Sequence, residues 1–231
     1  MAIDGEHGFA KAQEYIPDVI ISDVMMPRMN GLELTQRIRE DERTSHIPVI
    51  ILTARADDES RLTGLTHGAD EYLSKPFLME ELQIRVHNIL EQKRRLAEKL
   101  KDDLMLTTPL PEPGEPSMDE KLILKFKSII EDNLSNPSLS VEMLAEKMNL
   151  SRAHLFRKVK ALINISPSEF INDLRLQRAA QMIRSRTDNV SQIGYAVGYN
   201  EQSYFSKRFR KKFGMSPKDY AKQNEMEQDY L

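Results

Sequence analysis

Asp23, Thr53 and Lys75 each stand at or just beyond the end of a short apolar run. A carboxylate in such a place can act as a nucleophile and accept a phosphoryl group. A hydroxyl can hydrogen-bond the transferred group, and an ammonium can pair with its charge. Singly, the residues have plainer readings, such as an aspartate cap or a surface lysine. Their joint placement is what singles them out.

The elements that must position them are short. Asp18–Asp23 (DVIISD) and Ile47–Ala54 (IPVIILTA) are continuously apolar rather than alternating, as expected of strands covered on both faces. Ala69–Phe77 (ADEYLSKPF) reads as a third, shorter strand and a turn, and helical patterns lie at 6–15, 31–40, 57–66 and 78–100. Strands alternating with helices imply an α/β fold with a parallel sheet, whose chemistry belongs at the carboxyl ends of the strands.

The second half is organised differently. Ser140–Phe156 (SVEMLAEKMNLSRAHLF) aligns without a gap on Asn189–Phe205 (NVSQIGYAVGYNEQSYF). In each copy a capping residue, Ser140 or Asn189, opens an amphipathic stretch, and a second cap, Ser151 or Asn200, opens another. The apolar residue before each second cap (Leu150, Tyr199) is spaced to pack on Leu155 or Tyr204 as a hydrophobic staple. Asn164–Phe170 (NISPSEF) and Gly214–Tyr220 (GMSPKDY) then repeat a serine cap followed by proline at the first helical position. The pattern is helix, tight turn, helix, twice, a geometry in which a capped second helix can enter a DNA major groove. An ordinary helical bundle is the plainer alternative.

Charge separates the halves. Residues 1–118 hold 14 Lys and Arg against 22 Asp and Glu, a net of −8, whereas 119–222 hold 19 against 11, a net of +8, and 223–231 add −3. A basic domain behind an acidic one points to a nucleic-acid partner for the second half, since cations near phosphates release condensed counterions. The absence of cysteine excludes disulfides, thiolate metal sites and cysteine nucleophiles. No apolar run approaches the ~20 residues of a membrane span, and the first residues do not resemble a signal peptide. The expected location is the cytoplasm.

The first half resembles a response-regulator receiver domain. DVIISDVMMPRMNGLEL matches the phosphoacceptor strand and loop, and Thr53 and the lysine of YLSKPF (Tyr72–Phe77) follow at the family's spacing. The resemblance implies phosphorylation at Asp23, a Met25 backbone carbonyl on Mg²⁺ beside Asp23, phosphoryl contacts from Thr53 and Lys75, Tyr72 as the switching aromatic, and a cis Lys75–Pro76 bond. One departure is large. Receivers begin with a strand ending in an acidic pair that binds Mg²⁺, followed by a helix, whereas MAIDGEHGFAKA already resembles the second strand's end and the second helix. The fold expected is therefore a flavodoxin-like receiver lacking its first strand and helix, with Mg²⁺ held weakly or not at all. Met1 need not be a natural start.

Residues 119–222 resemble an AraC/XylS-type DNA-binding domain through LAEKMNLSRAHLFRKVK, RLQRAAQMI (Arg175–Ile183) and VGYNEQSYFSKRFRKKFGMSPKDY. Gly194 stands where alanine is usual, and Phe156 where a polar residue is frequent. Helix geometry nominates Arg152, Ala153, Phe156 and Arg157 in the first unit, and Glu201, Gln202, Ser203 and Lys207 in the second, as groove-facing. Arg157 would pair with guanine and Gln202 with adenine. Arg208 and Lys211, with Lys160 and Lys212, are placed to bind phosphate or to remain solvated, and Leu155, Val159, Tyr204, Phe205 and Phe209 for the core.

The domain order is then receiver (1–100), linker (101–118, rich in proline), all-α DNA-binding domain (119–222) and acidic tail (223–231). It most resembles the C-terminal end of a hybrid two-component regulator. The partners implied are promoter DNA and a histidine kinase as phosphodonor, separate or in the same parent chain, with a homodimer and RNA polymerase as further candidates. The chain itself is not expected to be an enzyme, although the parent chain could carry the kinase and be anchored to the inner membrane. The rival reading is a phosphotransfer or pseudo-receiver module whose basic helical domain docks a protein.

Overall fold

A computed structural model describes residues 1–54, 68–105, 116–185 and 187–228. The helical pattern at 57–66, most of the linker and the end of the acidic tail lie outside the described residues. Two compact units divide the chain, one built on Met1–Asp102 and the other on Ile123–Lys160 and Ile165–Leu231.

The first unit holds α1 (Gly5–Tyr15), β1 (Ile20–Asp23), α2 (Gly31–Glu40), β2 (Val49–Thr53), β3 (Glu71–Ser74) and α3 (Met79–Met105). Its strands are parallel in the order β1-β2-β3, with Asp23 opposite Leu52 and Thr53 opposite Ser74. The continuous apolar run of β2 has the expected cause. Val49 and Ile51 pack against Ala12, Leu34 and Ile38 on the α1 and α2 face, while Ile50 joins Leu73 and Ile89 on the α3 face. Among the described residues β1 pairs on one side only, and Ile21 is 43% exposed. The helix expected over 78–100 runs on to Met105.

The second unit contains α4 (Met118–Asp132, which begins ahead of it), α5 (Val141–Lys147), α6 (Arg152–Ile163), α7 (Pro167–Arg184), α8 (Val190–Ala196), α9 (Gln202–Phe213) and α10 (Pro217–Gln228). Ser140 caps α5 through Met143 N–H at 3.3 Å, and Asn189 caps α8 through Gln192 N–H at 2.9 Å. α7 opens with Pro167 behind a Ser166/Glu169 capping box. Its N-terminal part meets α4, the Phe126 and Phe170 rings lying 5.5 Å apart. Its C-terminal part, from Leu176 to Ile183, shares a core with Ile193, Val197, Tyr199, Phe205 and Phe209.

One expected cap is not made. Asn200 does not open α9: Glu201 holds the cap position, without a side-chain hydrogen bond, and the helix starts at Gln202. In the first helix-turn-helix pair Ser151 does cap, accepting His154 N–H at 3.2 Å. The second turn is instead held by rings, Tyr199 lying 5.3 Å from Phe205 and 6.0 Å from Tyr204.

Candidate functional site

At the carboxyl edge of the sheet the Lys75 ammonium meets the Asp23 carboxylate, while Met25 N–H donates to Asp23 Oδ1 at 3.2 Å. The Lys75 hydrogen bond holds the Asp23 carboxyl below its ordinary range, against a burial that pushes it upward. Lys75 N–H donates to the Thr53 carbonyl at 2.7 Å, bringing the third residue to the same edge. The Lys75–Pro76 bond is cis.

The loop after Asp23 is fixed from below. Asn30 caps α2 by accepting Leu32 and Glu33 N–H, both at 2.9 Å, and Glu33 returns a bond to Asn30 N–H at 3.0 Å. Glycine is required at position 31, where a Cβ would lie 2.2 Å from the Asp23 carbonyl oxygen. Arg28, in the same loop, has φ of 65° and contacts the buried Asp4 carboxylate, which also caps α1 through His7 N–H at 2.8 Å. Met25 is exposed. Tyr72 packs on the α1 and α2 face, and burial raises its hydroxyl pKa; that hydroxyl has no hydrogen-bond partner among the described residues.

Among the described residues no three His, Cys, Asp or Glu side chains gather as a metal cluster. The donor set suits an ion that draws most of its ligands from water and phosphate, a habit of Mg²⁺.

In the helical unit the outward face of α6 collects Arg152, Ala153, Phe156, Arg157 and Lys160, with Phe156 41% exposed. Arg152 also bridges to Glu142 at 2.7 Å. On α9 the exposed residues are Ser203, Tyr204, Lys207, Arg210 and Lys211, and Glu201 is exposed ahead of them. Gln202 is half-buried: a Cβ at Gly194 would lie 2.9 Å from its Oε1, so in this conformation it turns toward α8. The same close approach, with Phe205 3.1 Å from that Cβ position, accounts for glycine at 194. Arg208 is half-buried over the Tyr204 ring at 6.0 Å, and Lys212 pairs with Asp173 at 2.7 Å rather than standing free for phosphate.

Two residues escaped the sequence reading. Tyr204, expected in the core, is 48% exposed. Its spacing from Tyr199 fits a staple and the rings do touch, but α9 starts one residue later than the repeat implies and turns Tyr204 to its flank. Arg210 lies on the stripe of Ser203 and Lys207, and the i, i+4, i+7 spacing would have found it. Leu155, Val159, Phe205 and Phe209 are buried as expected.

Residues 1–87 match the response regulator receiver domain, and residues 144–223 match a helix-turn-helix domain. One chain thus matches a receiver domain ahead of a helix-turn-helix domain. It is 44% identical over 222 residues to histidine kinase P4 of Formosa agariphila, an alignment covering 95% of this chain and 16% of that protein. It is 41% identical over 105 residues to the DNA-binding dual master transcriptional regulator RpaA of Synechocystis, covering 46% of this chain and 44% of the relative. The C-terminal domain of AraT, a response regulator from Geobacillus stearothermophilus, covers 44% of this chain and 84% of that domain at 30% identity, with a TM-score of 0.43. The chain thus spans less than half the length of these two curated relatives. No helix among the described residues is long and apolar enough to cross a membrane.

Proposed function

We propose that the chain is the output end of a two-component system, in which phosphorylation at Asp23 controls sequence-specific binding of promoter DNA by the helical unit. The observation that carries this reading is the meeting of Asp23 and Lys75 at the carboxyl edge of the sheet, in a chain that also holds two helix-turn-helix pairs. An Asp23 oxygen attacks the phosphorus of a phosphohistidine on the kinase. The O–P bond forms as the P–N bond breaks, and the imidazole leaves with the electron pair and takes a proton from water. Lys75 then pairs with the phosphoryl oxygens, Thr53 hydrogen-bonds them, and Tyr72 repacks as the switch.

Mg²⁺, held by the Asp23 carboxylate and the Met25 carbonyl, would supply charge neutralisation for the transferring group. The match to histidine kinase P4 over nearly the whole chain supports a phosphodonor within a longer parent protein. Groove contacts are assigned to Arg152, Ala153, Phe156 and Arg157 on α6, and to Glu201, Ser203 and Lys207 at α9, with Gln202 joining them only on turning away from α8. Arg208 and Lys211 are assigned to phosphate.

In the intact parent protein, Asp23→Asn should abolish acid-stable, hydroxylamine-sensitive phosphate incorporation while leaving the basal DNA affinity of the helical unit unchanged. Incorporation that persists in the variant would place the acceptor elsewhere and remove the switch.

A further inference from the structure

Arg175 lies at the middle of α7, between the part that meets α4 and the part that shares a core with α8 and α9. It is 7% exposed, and its contacts are carbonyls and a ring. Its Nε donates to the Leu134 carbonyl at 3.3 Å and its Nη2 to the Asn136 carbonyl at 2.6 Å, while its Cζ lies 5.7 Å from the centre of the Tyr199 ring. Leu134 and Asn136 belong to the segment that leads from α4 into the first helix-turn-helix pair. Tyr199 belongs to the turn of the second pair, where its hydroxyl donates to Asn172 Oδ1 at 3.3 Å. One side chain therefore touches the entrance of the first pair and the turn of the second, from the helix that joins them.

The two turns differ accordingly. At equivalent places in the repeat, the first has Asn149 with φ of 56° and the second has Gly198 with φ of 84°. Asparagine tolerates that left-handed backbone in the first turn. In the second, a Cβ would lie 2.5 Å from the Leu134 carbonyl and 2.7 Å from Arg175 Nη2. Gly198 is thus demanded by the passage of Arg175 as well as by its φ. A buried guanidinium carries a desolvation cost that an apolar side chain of similar volume would avoid, and burial lowers the Arg175 pKa accordingly. What arginine supplies is a rigid fork that bonds two acceptors and stacks on a ring at once, which lysine cannot do.

We propose that Arg175 is a positioning residue that holds the second helix-turn-helix pair against the first, so that α6 and α9 keep one spacing and one phase. Its consequence for DNA rests on the function proposed above, but the geometry can be measured without DNA. The chain has no cysteine, so Lys160→Cys and Arg210→Cys place two spin labels, on α6 and α9, in the full chain. The unaltered background should give one narrow distance distribution. Arg175→Lys, which keeps the charge, and Gly198→Asn, which copies the first turn, should each broaden it while the helical circular dichroism is kept.

On DNA, the unaltered chain should reject a site with two base pairs inserted between its halves, and Arg175→Lys should bind both sites alike. Unchanged distance distributions in both variants, or unfolding of the helical unit in both, would overturn the positioning role and leave Arg175 a residue of ordinary stability. An unaltered chain with no sequence preference would sink the DNA reading alone, and the label distances would still decide Arg175.

Discussion

The two helix-turn-helix pairs share a sequence pattern but hold their second helices by different means. α6 is capped by Ser151 and seated on the aliphatic Leu155 and Val159. α9 has no side-chain cap and is seated on rings, with Phe209 5.7 Å from Phe205, 4.5 Å from Phe213 and 5.4 Å from Tyr220. Their outward faces differ as well: two arginines and a phenylalanine on α6, a tyrosine and several cations on α9. A repeat in sequence can therefore preserve the backbone path while the source of stability and the reading surface both change. The two helices should read unlike sequences.

The largest effect should come from removing a ring. Phe209→Ala should cost ~3–5 kcal/mol, the usual range for a buried aromatic deletion. Val159→Ala, at the corresponding place in α6, deletes a smaller side chain and should cost less. Chemical denaturation followed by circular dichroism measures both. Equal losses would mean that the aromatic cluster is not what seats α9.

Next come the reading faces. Arg157→Ala should cost ~1–3 kcal/mol of affinity and relax preference at one base pair if it bonds a guanine edge. Lys211→Ala should instead weaken binding to all sequences alike and flatten the salt dependence. Competition binding against single-base variants at two salt concentrations separates the two behaviours. A uniform loss from Arg157→Ala would move that residue to the phosphate class.

The smallest effect isolates the caps. Ser151→Ala should cost ~1 kcal/mol, whereas Asn200→Ala should stay within ~0.5 kcal/mol, as for a surface change outside any cap. A comparable loss from Asn200→Ala would show that the second pair is capped after all.

These contrasts also show what the chain displays in one dimension. The strand-end residues were legible because Asp23, Thr53 and Lys75 mark where apolar runs stop, and the register then has to bring those ends together. The Ser166 cap was legible because Pro167 stands behind it at the first helical position. Asn200 misled because its residue type suits a cap, while the tertiary packing of Tyr199 and Phe205 sets where α9 begins. That shift exposes Tyr204 and turns Gln202 inward, and neither effect has a local signal. Arg175 stands in sequence only as one residue of a helical stretch, because its partners, Leu134, Asn136 and Tyr199, are joined to it by folding rather than by spacing. The close approaches at Gly194 and Gly198 are hidden for the same reason.

One polypeptide should carry two unlike readers held at fixed spacing. Hydroxyl-radical footprinting of the full chain on a selected high-affinity site tests it most directly. Protection of the backbone flanking two successive major grooves, centred about one helical turn (~34 Å) apart at one chain per site and with different sequence requirements in each, is the predicted result. A palindromic site occupied by two chains, each protecting one groove, would contradict it.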